Sequence, residues 1–385
     1  MRVMFACGGT GGHINPALAI AEEIKKHDPE AVIEFVGTPW GKENDLVVRE
    51  GYVLRHVKMT GFSRSLSLSN LKTIHYTNTA PFVAGKYIRA FRPDVVIGTG
   101  GYTCYPTIRA AVFHGIPTIL HESNAKPGLA VKLLQLEVSM ILTNFSDTAK
   151  HLLTPASRIR QVGNPLRKAY GEYTKQEARA LSGMPEGIRY WVVSCGGSGG
   201  AETVNRAVLD MMEKHLTKHP EIGLIHAAGK RDYEKVKEEF DRRGLDRYPN
   251  LILKDYIYDM PVQMTAADLV ICRAGAMTLS EVALLHKPSV IIPSPYVADN
   301  HQFVNADALR KKGAASLLEE KNMNGDSLFE QVWTLLDSEE LLGDMEDAVA
   351  SFAFPNANED IYEAIVSCVK NSAHWKRQQK KNNKK

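Results

Sequence analysis

A strand, a glycine-rich loop and a helix follow one another twice in this sequence of 385 residues. The first copy has an apolar run at 3–6, a loop at 7–13 with four glycines, and then apolar residues at helical spacing. The second copy has its apolar run at 190–194 and its glycine-rich loop at 195–201. Each copy is typical of the start of an α/β domain with a parallel sheet. The repetition therefore predicts two similar α/β domains that face each other.

More apolar runs of strand length alternate with helical or loop segments in both halves. They lie at 32–36, 53–57, 94–98, 118–120 and 139–143, and then at 223–227, 251–253, 269–272 and 290–292. In parallel sheets the loops after the strands collect at one edge, where ligands bind. Three such loops carry polar side chains, although ordinary structural loops would give the same pattern. They lie at 98–102, 121–128 and 293–302, the last before a helix predicted at 303–311.

The pattern at 268–281 predicts a buried strand, a turn at Gly275 and a new helix. The unpaired amides and the dipole of a helix N-terminus form an anion site, to which Thr278 and Ser280 can add hydroxyl donors. Glu281 cannot bind a phosphate, but its carboxylate suits a pair of ribose or sugar hydroxyls. Taken alone, the pattern fits a plain structural turn at least as well.

The first glycine-rich loop, at 7–13, is suited to close approach of a ligand to the backbone. Pro16 fits the first turn of the following helix, where a missing amide proton costs nothing. The loop lacks the Gly-Lys-Ser/Thr ending of a P-loop and the Gly-x-Gly-x-x-Gly spacing of dinucleotide-binding folds.

Composition excludes several other classes of protein. Hydrophobic residues make up 44% and charged residues 24%, which is ordinary for a globular chain of two or three domains. The five scattered cysteines fit buried thiols in a reducing compartment, and neither a disulfide framework nor a zinc site. No apolar run approaches the ~20 residues of a membrane-spanning helix, and strand-like residues begin too early for a signal peptide. Because no signal peptide is predicted, a cytoplasmic protein is expected. A net charge of +3 is too small to argue for nucleic acid.

A Gly-Asn-Pro turn at 163–165 is a natural domain boundary. We expect a first domain at 1–163 and a second at 164–351. A helix at about 352–370 is expected to pack back on the first domain, and the basic residues 371–385 to form a disordered tail.

Seven motifs can be marked along the chain. Their residues are 8–13, Asn15, Pro16, 98–102, Pro106, His121, Glu122, Asn124, Pro127, Gly128, 163–165, Arg167, 196–198, Gly200, Ala201, Asn205, 273–276, Thr278, Glu281, His301, Gln302, Asn305 and Ala306. In this order they resemble the bacterial peptidoglycan N-acetylglucosaminyltransferases of glycosyltransferase family 28. The resemblance covers the chain up to about residue 364. The opening Gly-Gly-Thr-Gly-Gly-His and the His-Glu-x-Asn loop are specific to this family, whereas the last third is shared with other GT-B enzymes.

The resemblance implies the GT-B fold, in which two Rossmann-like α/β domains with parallel sheets face each other across a cleft. It also implies inverting transfer of N-acetylglucosamine from UDP-N-acetylglucosamine to the muramyl sugar of lipid I, an undecaprenyl-pyrophosphate-linked precursor, giving lipid II for peptidoglycan. The expected partners are these two substrates, an anionic membrane surface on the cytoplasmic face of the cell membrane, and proteins of cell-wall synthesis, but not nucleic acid. No cofactor and no metal is expected, because the sequence has no Asp-x-Asp pair and a helix N-terminus can stabilise the departing UDP.

Carried over by position, the resemblance places the donor on the second domain. The implied donor-binding residues are Arg167, Ser198, Ile257, Arg273, Ala276, Met277, Thr278, Glu281, His301 and Gln302. Ser198 and the loop amides would face the pyrophosphate, Ile257 would meet uracil through its backbone, and Glu281 would take the ribose hydroxyls. His301 and Gln302 would contact the sugar hydroxyls.

On the first domain, the resemblance places Thr10, Gly11 and Gly12 against the acceptor or the transferring sugar, with His13 and Asn124 near the reacting hydroxyl. An inverting transfer needs a base for that hydroxyl. His13 is the candidate base because histidine titrates near neutral pH. The alternative is that His13 only orients the loop.

Two residues depart from the family pattern. Cys104 stands where a small residue is common, and Ser123 replaces an expected glutamine. Ser123 puts a side-chain contact to the acceptor at that position in doubt.

The segment 71–92 mixes apolar and basic residues, as a segment at a membrane interface would. A core helix with an ordinary charged face would explain Phe82, Val83, Tyr87 and Ile88 almost as well. The C-terminal lysines could add about 1 kcal/mol of attraction to anionic lipid per charge, or belong to a solvated tail.

Three other functions fit parts of the sequence. A UDP-N-acetylglucosamine 2-epimerase shares the architecture and the UDP site but has no acceptor, so the acceptor-side loop with His13 argues against it. A diacylglycerol glycosyltransferase would differ in its acceptor. A non-catalytic sensor would close on the nucleotide sugar and form no product.

Overall fold

The computed structural model describes residues 1–61, 69–197 and 199–374. The chain forms two compact units, one made of Met1–Leu166 with Asn356–Lys385 and the other of Arg167–Pro355. Ser198 and the tail residues 375–385 lie outside the described residues.

The first unit is built on a parallel sheet. Its strands are β1 Arg2–Cys7, β2 Val32–Gly37, β3 Val53–His56, β4 Val95–Gly100, β5 Thr118–Glu122, β6 Met140–Thr143 and β7 Ile159–Gln161. Its first helices are α1 Gly11–His27, α2 Glu43–Arg49, α3 Ser69–Phe91, α4 Cys104–Phe113 and α5 Leu129–Leu134, with 3₁₀ helices at Ser146–His151 and Ala156–Arg158. The strand order is β3-β2-β1-β4-β5-β6-β7.

Helices cover both faces of this sheet, so the central strands are apolar on both sides. Val3 and Phe5 of β1 pack into the cluster that contains the apolar face of α1. Met4, between them, packs into the cluster formed with α3, α4 and α5. This alternation follows from the two-residue repeat of a strand.

The second unit has a similar plan. Its strands are β8 Tyr190–Cys195, β9 Ile222–Ala227, β10 Leu251–Lys254, β11 Leu269–Cys272, β12 Ser289–Ile291 and β13 Ser316–Leu317. Its helices are α6 Lys175–Leu181, α7 Glu202–Lys214, α8 Tyr233–Arg242, α9 Met260–Ala266, α10 Ala276–Leu284, α11 His301–Arg310, α12 Gly325–Leu336 and α13 Glu339–Ala350, with 3₁₀ helices at Leu216–Lys218, Leu245–Arg247, Ala298–Asn300 and Glu320–Asn322. The strand order is β10-β9-β8-β11-β12-β13.

The last helix, α14 (Ala357–Asn371), belongs to the first unit although it follows the second in sequence. Ile361 and Ile365 are fully buried in the core cluster that contains the apolar face of α1. The ring of Tyr362 stacks on His27 with 4.1 Å between the ring centroids. The chain therefore returns to complete the first core.

Each sheet reverses its strand order once, between β1 and β4 in the first unit and between β8 and β11 in the second. Loops on the two sides of such a reversal diverge and leave a crevice at the carboxyl edge, where ligands of α/β folds bind. The glycine-rich loops predicted from sequence follow β1 and β8, and the loop at 98–102 and the turn at Gly275 lie at the ends of β4 and β11. All four therefore lie at the two strand-order reversals.

The predicted fold class and the predicted strands are confirmed, but several boundaries differ. Strands β4 and β5 extend to Gly100 and Glu122, so part of each predicted loop is strand. The sequence analysis missed β7 and β13, which have three and two residues and lie at sheet edges. Short edge strands bury little apolar surface and so leave a weak sequence pattern.

Cys7, Cys104 and Cys272 are buried free thiols, and Cys195 and Cys368 are free and partly buried. Among the described residues, no helix combines the length and the hydrophobicity that crossing a membrane requires.

Candidate active site

The first glycine-rich loop is shorter than predicted, because α1 begins at Gly11. The carbonyl of Thr10 accepts hydrogen bonds from the backbone N–H groups of His13 and Ile14, at 3.1 and 3.2 Å, and so closes the first helical turn. Pro16 therefore lies inside the helix and not in its first turn as predicted. The backbone amides at the start of a helix have no partner within the helix, so this glycine-lined end favours an anionic or hydroxyl-rich ligand.

His13 sits in this first turn, partly exposed. Its Nδ1 is 3.2 Å from the carbonyl oxygen of Gly8 and 3.3 Å from Thr10 Oγ1. A carbonyl oxygen can only accept, so Nδ1 carries the proton in this arrangement and the lone pair of the neutral ring is on Nε2. The carbonyl of His13 accepts a hydrogen bond from Thr99 Oγ1 at 2.7 Å, which ties the loop after β1 to β4.

Two glycines at the end of β4 allow this close packing. Gly100 and Gly101 have φ of +114° and +87°, a region that disfavours other residues. A side chain at position 100 would overlap the ring of His13, and one at 101 would overlap the carbonyl of Gly8. The thiol of Cys104 also donates to the carbonyl of Ala6 at 3.0 Å, so this departure from the family pattern links α4 to β1.

A buried carboxylate that the sequence analysis missed supports the same loop. Glu43 is fully buried and accepts hydrogen bonds from Gly9 N–H at 3.0 Å, Thr38 N–H at 2.6 Å and the Thr38 hydroxyl at 2.7 Å. A methyl group added at Gly8 would lie 2.8 Å from Glu43 Oε1, and side chains at Gly37 and Gly41 would also overlap this carboxylate. The glycines flanking position 43 were the signal that could have revealed it.

A second buried carboxylate shapes the loop after β5. Glu122 accepts hydrogen bonds from the backbone N–H and the Nδ2 of Asn124, at 3.0 and 3.1 Å, and from Gly128 N–H at 2.7 Å. Burial raises the pKa of Glu122, and these donors oppose that shift. The side chain of Asn124 is thus held at a fixed position. Ser123 is 6% exposed and its hydroxyl faces His121 at 3.5 Å, so it points inward.

In the second unit, α10 begins at Ala276, directly after the turn that follows β11. Ala276, Met277 and Thr278 form its first turn, as the resemblance requires. Gly275 has a negative φ of −67°, and an added side chain would meet only Thr278 Oγ1, at 3.9 Å. Neither the backbone conformation nor crowding therefore requires a glycine at the predicted turn, and Gly275 leaves open space above a helix N-terminus.

Glu281 lies one turn further along α10, partly buried. Desolvation raises the pKa of its carboxyl group to about 7, and the nearby Tyr170 hydroxyl acts against that rise. The pKa of Tyr170 is raised by burial and by the nearby carboxylate. No role was predicted for Tyr170, which follows the Gly-Asn-Pro turn in a stretch without recognisable pattern.

Several of the residues predicted to bind the donor substrate also make contacts that stabilise the loops in which they lie. Arg273 forms an ion pair with Glu320 and donates to the carbonyl of Ile292 at 3.1 Å, which joins the ends of β11 and β12. Gln302 Oε1 accepts a hydrogen bond from Ser294 N–H at 2.9 Å. His301 begins α11, so it lies in a helical turn and not in the predicted loop.

Ile257 and Arg167 are the remaining predicted donor-binding residues among those the structure describes. Ile257 is 2% exposed, so its side chain faces the core and only its backbone is suited to a ligand. It lies between Tyr256 and Tyr258, whose rings Lys230 Nζ approaches at 5.6 and 5.3 Å. Arg167 is exposed at the start of the second unit.

The chain matches two models of one protein family. The N-terminal domain of glycosyltransferase family 28 matches residues 3–142, and its C-terminal domain matches residues 191–361. A relative from Acetivibrio thermocellus, named UDP-N-acetylglucosamine--N-acetylmuramyl-(pentapeptide) pyrophosphoryl-undecaprenol N-acetylglucosamine transferase, is 40% identical over 375 residues, which is 97% of this chain and all of the relative.

Solved structures agree with this match. The crystal structure of MurG from Acinetobacter baumannii has a TM-score of 0.75 and 27% identity, and the match covers 95% of this chain and 99% of that one. A UDP-N-acetylglucosamine 2-epimerase from Neisseria meningitidis has a TM-score of 0.65 with 16% identity, covering 95% of this chain and all of that one. That second likeness shows the fold alone.

The chain therefore belongs to glycosyltransferase family 28 and has two Rossmann-like domains of the GT-B class. Within that family it is a member of the MurG enzymes, the N-acetylglucosaminyltransferases of peptidoglycan synthesis. It is thus a hexosyltransferase, and this membership favours the transferase reading over the epimerase, diacylglycerol glycosyltransferase and sensor alternatives.

Proposed function

We propose that this chain transfers N-acetylglucosamine from UDP-N-acetylglucosamine to the muramyl sugar of lipid I, with inversion, and so forms lipid II. The observation that supports this most is the pairing of Glu281 with the N-terminus of α10 at a strand-order reversal. An acceptor for two hydroxyls beside a set of N–H donors is the chemistry of a ribose joined to a pyrophosphate. The relatives' names supply the donor sugar and the acceptor.

In this proposal the second unit binds the donor. The first-turn amides of α10, with Ser198, face the pyrophosphate, the backbone of Ile257 meets uracil, and Glu281 accepts from the ribose hydroxyls. Arg273, His301 and Gln302 lie on the side of the donor site that binds the N-acetylglucosamine, and Arg167 lies beside them. The N–H groups of α10 stabilise the charge that develops on UDP as it leaves.

The first unit binds the acceptor. Thr10, Gly11 and Gly12 present the N-terminus of α1, and Asn124 lies at the carboxyl edge of β5. His13 takes the proton of the muramyl hydroxyl on Nε2 while the oxygen forms its bond to the anomeric carbon. The bond from that carbon to UDP breaks, and its electron pair leaves with the diphosphate. The Nδ1–H to Gly8 hydrogen bond suits His13 to this role because it fixes the tautomer.

We propose that no metal takes part in the transfer. Among the described residues, one group could hold an ion, formed by Glu23, His27 and Glu359. Glu23 and His27 lie near the C-terminal end of α1, and His27 is about 21 Å from His13 at 1.5 Å of helix rise per residue. An ion there would lie a helix length away from the loop that carries His13.

We also propose that α3 binds the cytoplasmic face of the cell membrane peripherally. Ala80, Ala84 and Ile88 turn toward the core, whereas Phe82 is 76% exposed on the opposite face. Phe113, at the end of α4, is 86% exposed. Gly85 of α3 packs against His114, the residue that follows Phe113, so Phe113 ends a helix that lies next to α3.

Cations surround this surface. Lys72, Lys86 and Arg89 are exposed on α3, and such residues favour anionic headgroups. Vesicle flotation tests the membrane proposal. Wild type should float with anionic vesicles and a Phe82→Asp, Lys86→Glu variant should not, whereas equal flotation would refute the proposed surface.

The transfer itself is tested with radiolabelled UDP-N-acetylglucosamine, with and without a lipid I analogue, in EDTA. Label should move into the lipid fraction only when the analogue is present. Label that stays in the UDP-sugar fraction, epimerised or not, would overturn the proposed transfer, and dependence on added metal would overturn the metal-free mechanism.

A further inference from the structure

Two cysteines lie side by side at the carboxyl ends of neighbouring strands in the second unit. Cys195 is the last residue of β8 and Cys272 is the last residue of β11, and the two are in register in the parallel pairing of these strands. Neighbouring strands of a sheet are about 4.7–4.9 Å apart. Both residues are free thiols, and the proposed transfer uses neither of them.

The two thiols project from the same face of the sheet. Val192, Leu269 and Ile271 belong to one core cluster and so mark one face of β8 and β11. Side chains alternate between the two faces along a strand. Cys195 follows Val192 by three residues and therefore points to the opposite face. Cys272 directly follows Ile271, so it points to that opposite face as well.

This arrangement suits a disulfide bond. Residues joined by a disulfide usually have their Cα atoms about 4.4–6.8 Å apart and their Cβ atoms about 3.5–4.5 Å apart. The spacing of adjacent strands already lies within the range for the Cα atoms. A bond between the two sulfurs therefore requires only a small approach of the two strand ends.

The two thiols differ in their access to a reagent. Cys195 is partly exposed, whereas Cys272 is only 1% exposed. A reagent can therefore reach Cys195 first, and Cys272 can react with a group that is already bonded to its neighbour. On its other side Cys195 is in register with Ala227 of β9, which carries no thiol.

We propose that Cys195 and Cys272 form a redox-sensitive dithiol site, which small disulfides convert into a reversible disulfide bond between β8 and β11. The Cys195 thiolate attacks the small disulfide and forms a mixed disulfide, and one half of the reagent leaves as a thiolate. The Cys272 thiolate then attacks the Cys195 sulfur, and the other half leaves as a thiolate. The two cysteines together lose two electrons to the reagent, and their two protons pass to the leaving thiolates.

The acidity of the two thiols sets the conditions under which the site reacts. Burial raises the pKa of Cys195 to about 11 and that of Cys272 well above its ordinary value, and the charge of Glu281 adds to both shifts. The thiolate is the nucleophile, so the exchange is slow near neutral pH. Raised pH and an excess of small disulfide should speed it.

The bond would join two segments that the proposed function assigns to the donor. Cys195 opens the second glycine-rich loop, and Cys272 directly precedes Arg273 and the turn at Gly275. Drawing the strand ends together displaces both segments, so the oxidised protein should bind UDP-N-acetylglucosamine more weakly than the reduced protein. This consequence rests on the proposed function, whereas the disulfide itself does not.

Incubation of the folded, full-length protein with excess oxidised glutathione at about pH 8.5 tests the proposal. Peptide mapping by mass spectrometry without reductant should find the peptides of Cys195 and Cys272 joined, with two hydrogen atoms lost and no glutathione retained. Dithiothreitol should separate them again. Glutathione retained on Cys195, or two cysteines that remain thiols in excess reagent, would overturn the proposal.

Cys368 is the matched control in the same chain. It is also free and partly exposed, and burial also raises its pKa to about 11. It lies on the helix α14, without the in-register neighbour that a strand provides, so its reaction should stop at the mixed disulfide.

Two variants test the order of the steps. Cys272→Ser should retain glutathione on Cys195, because the second thiol is gone. Cys195→Ser should leave Cys272 unmodified, because Cys272 is buried, and glutathione on Cys272 in this variant would contradict the order. Circular dichroism establishes that each variant is folded before its reaction is compared.

Calorimetry with UDP-N-acetylglucosamine measures the effect on the donor. Wild-type affinity should fall after oxidation and return with dithiothreitol, and a variant with both Cys195→Ser and Cys272→Ser should keep its affinity through the same treatment. Equal affinity of the oxidised and reduced wild type would overturn the effect on donor binding. If the reduced protein does not bind the donor at all, the proposed function falls, and the peptide map alone decides the dithiol site.

Discussion

The carboxylate of Glu43 accepts a hydrogen bond from the backbone N–H of Gly9 at 3.0 Å, although the two residues are 34 positions apart. Glu43 begins α2 and Gly9 lies in the loop between β1 and α1. A buried side chain from a neighbouring element thus fixes the loop on which the proposed acceptor chemistry depends. Glu122 does the same for the loop that contains Asn124.

Glu43→Gln should lower turnover about tenfold or more and leave donor affinity unchanged. The glutamine amide would place N–H groups against the N–H donors of Gly9 and Thr38, and an unsatisfied buried donor costs about 1–3 kcal/mol. Steady-state transfer rates and calorimetry with the donor measure the two effects. Glu30→Gln, an exposed glutamate of the same unit, is the matched control. Wild-type turnover in Glu43→Gln would show that the loop does not need this support.

His13→Ala should reduce turnover by about 10²-fold or more while donor affinity stays nearly the same, because removal of a general base affects the chemical step. Single-turnover transfer at saturating substrate is the measurement. His13→Gln keeps a hydrogen-bonding side chain in the loop without a base, so it should be as slow as His13→Ala. Recovery of wild-type rate in His13→Gln would leave His13 with an orienting role only.

Glu281→Ala should weaken binding of the donor about 10-fold to 100-fold, since hydrogen bonds to a charged group contribute about 1.5–3 kcal/mol. Equilibrium binding of UDP-N-acetylglucosamine and of its 2′-deoxy analogue is the measurement. The analogue should bind wild type more weakly than the natural donor, and the two should bind Glu281→Ala with more similar affinities. An unchanged donor affinity in this variant would count against the ribose role.

His226 should contribute a loss of stability to the second unit as pH falls below about 6.5, whereas the raised pKa of Glu281 contributes in the opposite direction. His226 is fully buried, with Nδ1 and Nε2 each 3.0 Å from Ser194 Oγ and Asn205 Oδ1, and burial lowers its pKa to about 4. As pH falls below about 6.5, the imidazole of this histidine takes up a proton in the unfolded chain but not yet in the folded chain. Protonation therefore favours the unfolded chain, and the free energy of unfolding decreases until the pH reaches about 4. The contribution of His226 to this loss between about pH 7.5 and pH 5 should be about 2 kcal/mol.

Urea denaturation of wild type and a His226→Asn variant at these two pH values isolates that contribution. The variant should be less stable at neutral pH, and between the two pH values its free energy of unfolding should lose about 2 kcal/mol less than that of wild type. His286→Asn, at an exposed position with φ of +52° that asparagine tolerates, should behave like wild type. An identical pH difference in wild type and His226→Asn would contradict the assignment to His226.

Local pattern was enough to predict most of the fold. Apolar runs such as 269–272 coincide with buried strands, and the glycine-rich loops lie after them at the carboxyl edges. The site residues that belong to a motif, such as His13 and Glu281, could be named because they stand at fixed offsets from a strand end and a helix start. Element boundaries were less certain, as the early start of α1 and the helical position of His301 show. Whether a glycine lies in a loop or in the first helical turn depends on a hydrogen bond, here from His13 to Thr10, which the pattern does not specify.

The sequence by itself determined the two α/β domains, the position of the loops and the family, because strand and helix periodicity and motif spacing are local properties of the chain. Only the tertiary structure decided that Glu43 supports the first glycine-rich loop and that Gly100 makes room for His13. These relationships join residues far apart in sequence, through burial and hydrogen bonds that exist only once the sheets have formed. The environment of Glu281 is of the same kind, since its raised pKa comes from surrounding protein that excludes water from the carboxylate.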